Sequence, residues 1–146
     1  MCWPDKMTKD SIEFLEHTGD TGLYVRAETL EQLFISSAIG MFRIICPDFI
    51  SSNVLKREIV LQCENLPELF ISWLSELNFW FCTDQELYGK FEIEQLKNNK
   101  LRAQVFGEKV DQNKHKIHTE IKAVTYHQLS VKHSIDAWEA RVIFDV

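Results

Sequence analysis

The sequence predicts one α+β domain in which two helices pack on a mostly antiparallel sheet. Two long segments repeat apolar residues at helical spacing and carry clear start signals. Around them lie short segments that alternate apolar and polar residues with period two. Their order is strands, helix, strand, helix and then a run of strands, the pattern of helices set against an antiparallel sheet. At 146 residues, one domain buries roughly two-thirds of the surface its unfolded chain exposes, with no need of disulfides. With 45% hydrophobic and 12% aromatic residues, the chain lies outside the composition range of disordered proteins.

Residues 1–10 read as a flexible N-terminal extension, with Pro4, mixed charge and no periodicity, and residues 11–146 as the domain. A first strand leads into His17-Thr18-Gly19-Asp20, a tight link to a second strand in which Leu23, Val25 and Ala27 oppose Tyr24, Arg26 and Glu28. Thr29-Leu30-Glu31-Gln32 has capping-box spacing, which predicts that the Thr29 hydroxyl and the Gln32 side chain each satisfy an orphan backbone N–H. Leu30, Leu33, Phe34, Ser37, Ala38, Met41, Ile44 and Ile45 continue at helical spacing until Pro47 stops the helix. Ile59, Leu61 and Cys63 mark the next strand.

Asn65 is a good N-cap for the second helix. Pro67 and Glu68 follow in its first turn, where a missing N–H and a negative charge are both favourable. The stripe Leu66, Leu69, Phe70, Trp73, Leu74 and Leu77 is widened by Ile71, Phe79, Trp80 and Phe81, so this helix is either deeply buried or partly an interface. Phe91 and Ile93 lead to Asn98-Asn99, a pair that tolerates positive φ and predicts a tight hairpin into Leu101, Ala103 and Val105. Ile117, Thr119, Ile121, Ala123 and Thr125 predict a long strand, followed by Leu129 and Val131. The last strand sets Trp138, Ala140, Val142 and Phe144 against Glu139, Arg141, Ile143 and Asp145.

Composition narrows the function. A net charge of −6 with scattered basic residues argues against direct nucleic-acid binding, which needs a field of Lys and Arg to displace counterions. A role in RNA metabolism would therefore run through a protein partner. No apolar run is long enough to span a bilayer, and Asp5, Lys6, Lys9 and Asp10 leave no room for a signal-peptide core. A cytoplasmic protein is expected. Cys2, Cys46, Cys63 and Cys82 stand far apart, without the short spacing of a zinc site. Three of them are expected in the core, with Cys2 loose at the terminus.

Four places hold polar groups that a plain core does not require. The link at His17-Thr18-Gly19-Asp20 reads by itself as an Asx-type turn. The closing Ile143-Phe144-Asp145-Val146 reads by itself as a solvated strand end that sets the terminal carboxylate near Asp145. Joined, the two make a sharper proposal. If the last strand lay beside the first, Asp20, Asp145 and the Val146 carboxylate would share one pocket, each pair at about 4 Å repelling by roughly 4 kcal/mol. Such a cluster must protonate, splay apart or hold a cation. Oxygen-only ligands select Ca²⁺, Mg²⁺ or Mn²⁺ over zinc. Gly107-Glu108 with Asp111 and His115, and Lys122 to His127, read as a polar loop and a half-buried strand. His115 and His118, three apart in a loop-to-strand segment, make a poor metal pair. No nucleophile elbow, phosphate loop or zinc-protease helix motif is present.

These residues resemble a known family. Phe14-Leu15-Glu16-His17-Thr18-Gly19-Asp20 is similar to the F-x-E-H-T-A-D opening of the archease family, with Gly19 in place of the usual Ala. Leu30 to Phe42 resembles its first helix, Trp73-Leu74-Ser75-Glu76-Leu77 its W-L-x-E-L helix, and Gly107-Glu108-x-x-Asp111-x-x-x-His115 its G-E-x-x-D-x-x-x-H segment. Lys122 to His127 and Trp138 to Val146 complete six motifs in register from about residue 12 onward.

The resemblance implies an α+β fold of the strand–helix–strand–strand type and a role as non-enzymatic cofactor of an RtcB-type RNA ligase in tRNA splicing and RNA repair. In that role the protein promotes guanylylation of the ligase histidine and multiple turnover. It also implies one divalent metal ion, Ca²⁺ by family analogy, held by Asp20, Asp145 and the main-chain oxygens of Val146. His17, Glu108, Lys122 and His127 are the candidates for partner contact or support of the site. Two other classes compete. One is a metal-dependent phosphoesterase using Asp20, Asp145 and His17. The other is a general folding modulator, or chaperone, supported by the Phe79-Trp80-Phe81 patch alone.

Overall fold

The computed structural model describes residues 10–17 and 19–146, with residue 17 described by its backbone alone. Apart from Asp10, the expected N-terminal extension lies outside the described residues, as do Cys2, Trp3 and Thr18. The order is β1 (Ser11–His17), β2 (Asp20–Ala27), α1 (Leu30–Ile45), β3 (Leu55–Gln62), α2 (Leu66–Asp84), β4 (Glu86–Lys97), β5 (Lys100–Lys109), β6 (Ala123–His133) and β7 (Trp138–Asp145). All strand pairs are antiparallel. The expected α+β class, with two helices on antiparallel strands, is the class of the molecule. Its strands divide into two sheets, ordered β1-β2-β7-β6 and β3-β5-β4. Period two reveals which face a residue takes and is blind to which sheet it joins.

Both helices begin where their capping residues require. The Thr29 side chain accepts from the Gln32 N–H at 3.1 Å, and Asn65 Oδ1 accepts from the Glu68 N–H at 2.9 Å. Half of the expected capping box is absent: the Gln32 amide instead donates forward to Ser36 Oγ at 3.1 Å. Helix α1 ends at Ile45, with Cys46 as C-cap and Pro47 next. The last turn of α2 closes on Gln85 in the left-handed region.

The core lies between the helices and the two sheets. Trp73 is fully buried and its indole N–H donates to the Phe34 carbonyl at 2.9 Å, tying α2 to α1. Phe34 meets Phe70 edge-on at 5.3 Å, a favoured geometry for aromatic pairs. The wide stripe of α2 is largely burial: Trp80 and Phe81 are inside, and only Phe79 is exposed, at 56%. The hairpin between β4 and β5 turns on Asn98 and Asn99, both at positive φ (55° and 61°), as their side chains predict. Nearby, Gly107 faces a β-bulge between Tyr88 and Lys90, and any Cβ there would overlap the Leu87 carbonyl.

Three further expectations fail. Residues 117–122 form no strand; the ladder of β6 starts at Ala123. The backbone of the preceding stretch bonds to the end of α1, with His118 and Thr119 N–H groups donating to the Ile45 carbonyl at 2.7 and 3.3 Å. Alternating apolar residues there serve a strap crossing a helix end, and that geometry is invisible to periodicity. The even alternation expected through Lys122 to His127 is also broken, by a bulge between Thr125 and Ser130. Cys82 is exposed, not a core residue, while Cys46 is buried and Cys63 half-buried; all three are free thiols. Among the described residues, no helix is long and apolar enough to cross a membrane.

Candidate metal centre

The ladder between β2 and β7 sets Asp20 directly opposite Asp145, and the hairpin of β1 and β2 sets residue 17 opposite Asp20. Residues 125 apart in sequence therefore stand side by side at one end of the four-stranded sheet. The register follows from the core: Leu23 pairs with Val142 and Val25 with Ala140, all facing inward. Once those apolar pairs are fixed, Asp20 and Asp145 must meet. Directly opposed residues share a face, with Cβ atoms about 4.5–5.5 Å apart, so two carboxylates there repel. On the far side of β7, the Lys122 N–H donates to the Asp145 carbonyl at 2.7 Å and Ala123 pairs with Asp145.

Asp145 is exposed and Asp20 half-buried. Asp20 Oδ1 is sealed from solvent and has no hydrogen-bond partner among the described residues. A buried acceptor without a partner costs about 1–3 kcal/mol, and more when charged. A cation would offset that cost. Asp20 is one of the residues lining a cleft of about 490 Å³, with Phe14, Glu16, Thr21, Arg43, Ile44, Pro47, His118, Thr119 and Val146.

The donor chemistry fits a hard divalent ion. Among the described residues no three His, Cys, Asp or Glu side chains converge on one point. A metal at this end of the sheet would therefore take two carboxylates, from Asp20 and Asp145, with main-chain oxygens such as those of Val146 completing its shell. Oxygen-rich, irregular shells of this kind suit Ca²⁺ better than Zn²⁺.

The remaining candidates are scattered. The side chain of His17 lies outside the described residues. Glu108 ends β5 in the other sheet, buried, accepting from Lys114 Nζ at 2.7 Å and from the Ser52 N–H at 3.2 Å. Burial pushes its carboxyl up, but the hydrogen bonds from Lys114 and Ser52 outweigh that and hold it below the usual carboxylate range. Lys122 and His127 are exposed, Lys122 beside Asp145 through its backbone and His127 on the bulge of β6. His115 and His118 share no site. His115 is buried next to Glu108, whereas His118 is exposed on the cleft.

The cleft also holds a residue the sequence reading passed over. Arg43 occupies the last turn of α1, where a cation is favoured by the helix dipole, and opens onto the same cleft as Asp20. Its position in the turn was readable; its proximity to Asp20 was not, since only the packing of α1 on β2 brings them together.

Comparison with known proteins identifies the family and the fold. The sequence model of the archease protein family matches residues 12–146. The chain is 36% identical over 138 residues to the protein archease of Methanosarcina mazei, covering 92% of this chain and 94% of that one. With the protein archease of Methanopyrus kandleri it shares 34% identity over 139 residues, covering 92% and 98%. Its fold is similar to the solution structure of protein 1598 from Methanobacterium thermoautotrophicum, with a TM-score of 0.74 at 27% identity over 92% of this chain and 98% of that one. It is also similar in fold to a crystal structure from Thermotoga maritima described as an archease, possible chaperone, with a TM-score of 0.64 at 20% identity, covering 90% and 94%.

Proposed function

The chain belongs to the archease family, and on that premise we propose that it is a metal-binding accessory protein that activates an RtcB-type RNA ligase in tRNA splicing and RNA repair. The metal is one divalent cation, Ca²⁺ in preference to Mg²⁺ or Mn²⁺, held by Asp20, Asp145 and main-chain oxygens of Val146. The observation that carries this reading is the buried, unpartnered Asp20 Oδ1 on a residue set opposite Asp145. When bound, the ion supplies a fixed positive charge at the end of the sheet. The protein's own residues do the rest: Asp20 and Asp145 fix the ion's position, and the exposed side of Asp145 leaves it accessible to a partner.

The role of the chain is to promote guanylylation of the ligase and its multiple turnover, without chemistry of its own. The test is to add small amounts of the protein to an RtcB-type ligase with GTP and metal, following ligase guanylylation and the number of RNA joins per ligase. Stimulation by the native chain and its loss in both Asp20→Ala and Asp145→Ala is the expected result. No gain in rate from the native chain defeats the ligase role. Full stimulation by both variants defeats the metal's part in it.

A further inference from the structure

We propose that the buried Glu108–His115 pair is a remote anchor for the cleft, holding a strap at residues 115–122 whose other end fixes Asp145. The strap has no ladder of its own and is pinned at separate points. At its start, His115 Nδ1 accepts from the Asp111 N–H at 2.9 Å, and its ring packs edge-on against Phe49 at 5.8 Å. Its Nε2, buried and without a hydrogen-bond partner, stands 3.6 Å from Glu108 Oε1. In its middle, the His118 and Thr119 N–H groups donate to the Ile45 carbonyl, and both residues line the cleft. Toward its end, the Asn78 amide donates to the Ile121 carbonyl at 2.8 Å, and the Lys122 N–H donates to the Asp145 carbonyl at 2.7 Å.

The pins are few and lie at separate points, so loss of the first frees the stretch up to the next. A segment lacking a cooperative ladder opens locally, at a free energy well below that of the whole domain. Glu108 and His115 touch neither Asp20 nor Val146. They are positioning residues that act through the strap: with His115 anchored, the 118–119 wall stays against α1 and the backbone of Asp145 stays between β2 and residue 122. This accounts for the Gly107-Glu108-x-x-Asp111-x-x-x-His115 segment as an internal clamp that cements two loops, with Ser52 and Phe49 on the opposite side.

The inference rests on the cation site proposed above, and its test separates the two. His115→Leu removes the Nδ1 acceptor, whereas His115→Asn keeps an acceptor where Nδ1 stands. Amide hydrogen exchange and Ca²⁺ titration are measured on native protein and both variants. In His115→Leu, the His118, Thr119 and Lys122 amides are expected to exchange at least tenfold faster while β2 and β7 interior amides stay protected. Ca²⁺ affinity is expected to fall at least fivefold, with His115→Asn close to native in both readouts. Unchanged exchange in His115→Leu, uniform loss of protection across the domain, or no rescue by His115→Asn overturns the anchor. If the native protein binds no Ca²⁺, the cation site fails, and the exchange pattern still decides the strap.

Discussion

Asp20 pairs with Asp145 across the β2–β7 ladder, although the two stand 125 positions apart in the sequence. Two acids in opposed positions are destabilising in an ordinary sheet. Their register is nonetheless imposed by apolar pairs further along the same two strands, Leu23 with Val142 and Val25 with Ala140. The fold therefore holds the two carboxylates side by side, and a cation bound between them would relieve the repulsion.

Calcium should raise the melting temperature of the native chain and leave Asp20→Asn unmoved. At a hundredfold excess over its dissociation constant, a bound ion stabilises the folded state by about 2.7 kcal/mol. In EDTA, Asp20→Asn should be as stable as the native chain or more so, because the repulsion between the opposed Asp20 and Asp145 side chains is gone. Thermal melts with and without Ca²⁺ check both statements; equal Ca²⁺ shifts in the two proteins would sink them.

Gly107→Ala should abolish folding or cost more than about 4 kcal/mol, the range reserved for steric disasters in a core. The added Cβ would enter the backbone of the adjacent strand at the Leu87 carbonyl, where nothing flexible can yield. Yield of soluble protein and urea unfolding measure this. A variant within 1 kcal/mol or so of native, the range of ordinary surface changes, would contradict the packing.

Tyr88 is fully buried, and its hydroxyl donates to Glu86 Oε1 at 2.7 Å. Burial, with the bond to Glu86, pushes its phenol far above the ordinary range, so it stays protonated at any working pH. Tyr88→Phe removes one hydrogen bond to a buried carboxylate that Arg57 and Lys109 still neutralise. Such bonds contribute about 1.5–3 kcal/mol, which for a domain of this size lowers the melting temperature by about 5–10 °C. An unchanged melt would show that the Arg57 and Lys109 contacts alone satisfy Glu86.

Acid should unfold the chain partly through Glu139. The hydrogen bond from Tyr24, 2.7 Å long, and the nearby Arg26 hold its carboxyl below the usual range despite burial. A folded pKa below the unfolded value of about 4.3 stabilises the native state above that value. The contribution is lost as pH falls through the lower folded pKa. Glu139→Gln should thus be less stable than native at pH 7, with the gap closing below about pH 4. Urea titrations at pH 7, 5, 4 and 3 follow the gap; a gap constant with pH would reject the assignment.

The elements of this protein were legible because the signals that make them are local. Thr29 and Asn65 sit at their helix starts, Pro47 follows the end of α1, and Asn98-Asn99 turns its hairpin, each through chemistry confined to a few residues. The motif likeness named the family for the same reason. The strap at residues 117–122 was misread as a strand because its alternation is also local, whereas its bonds run to Ile45 and Asp145.

Sequence alone determined where both helices and most of the strands form and which carboxylates were worth watching. The tertiary structure decided that the strands form two sheets, that Asp20 pairs with Asp145, and that Arg43 and His118 share a cleft with Asp20. Hydrophobic periodicity is written residue by residue along the chain. Strand partnership is a choice among distant segments, settled only when the apolar faces close on one another and exclude every other register.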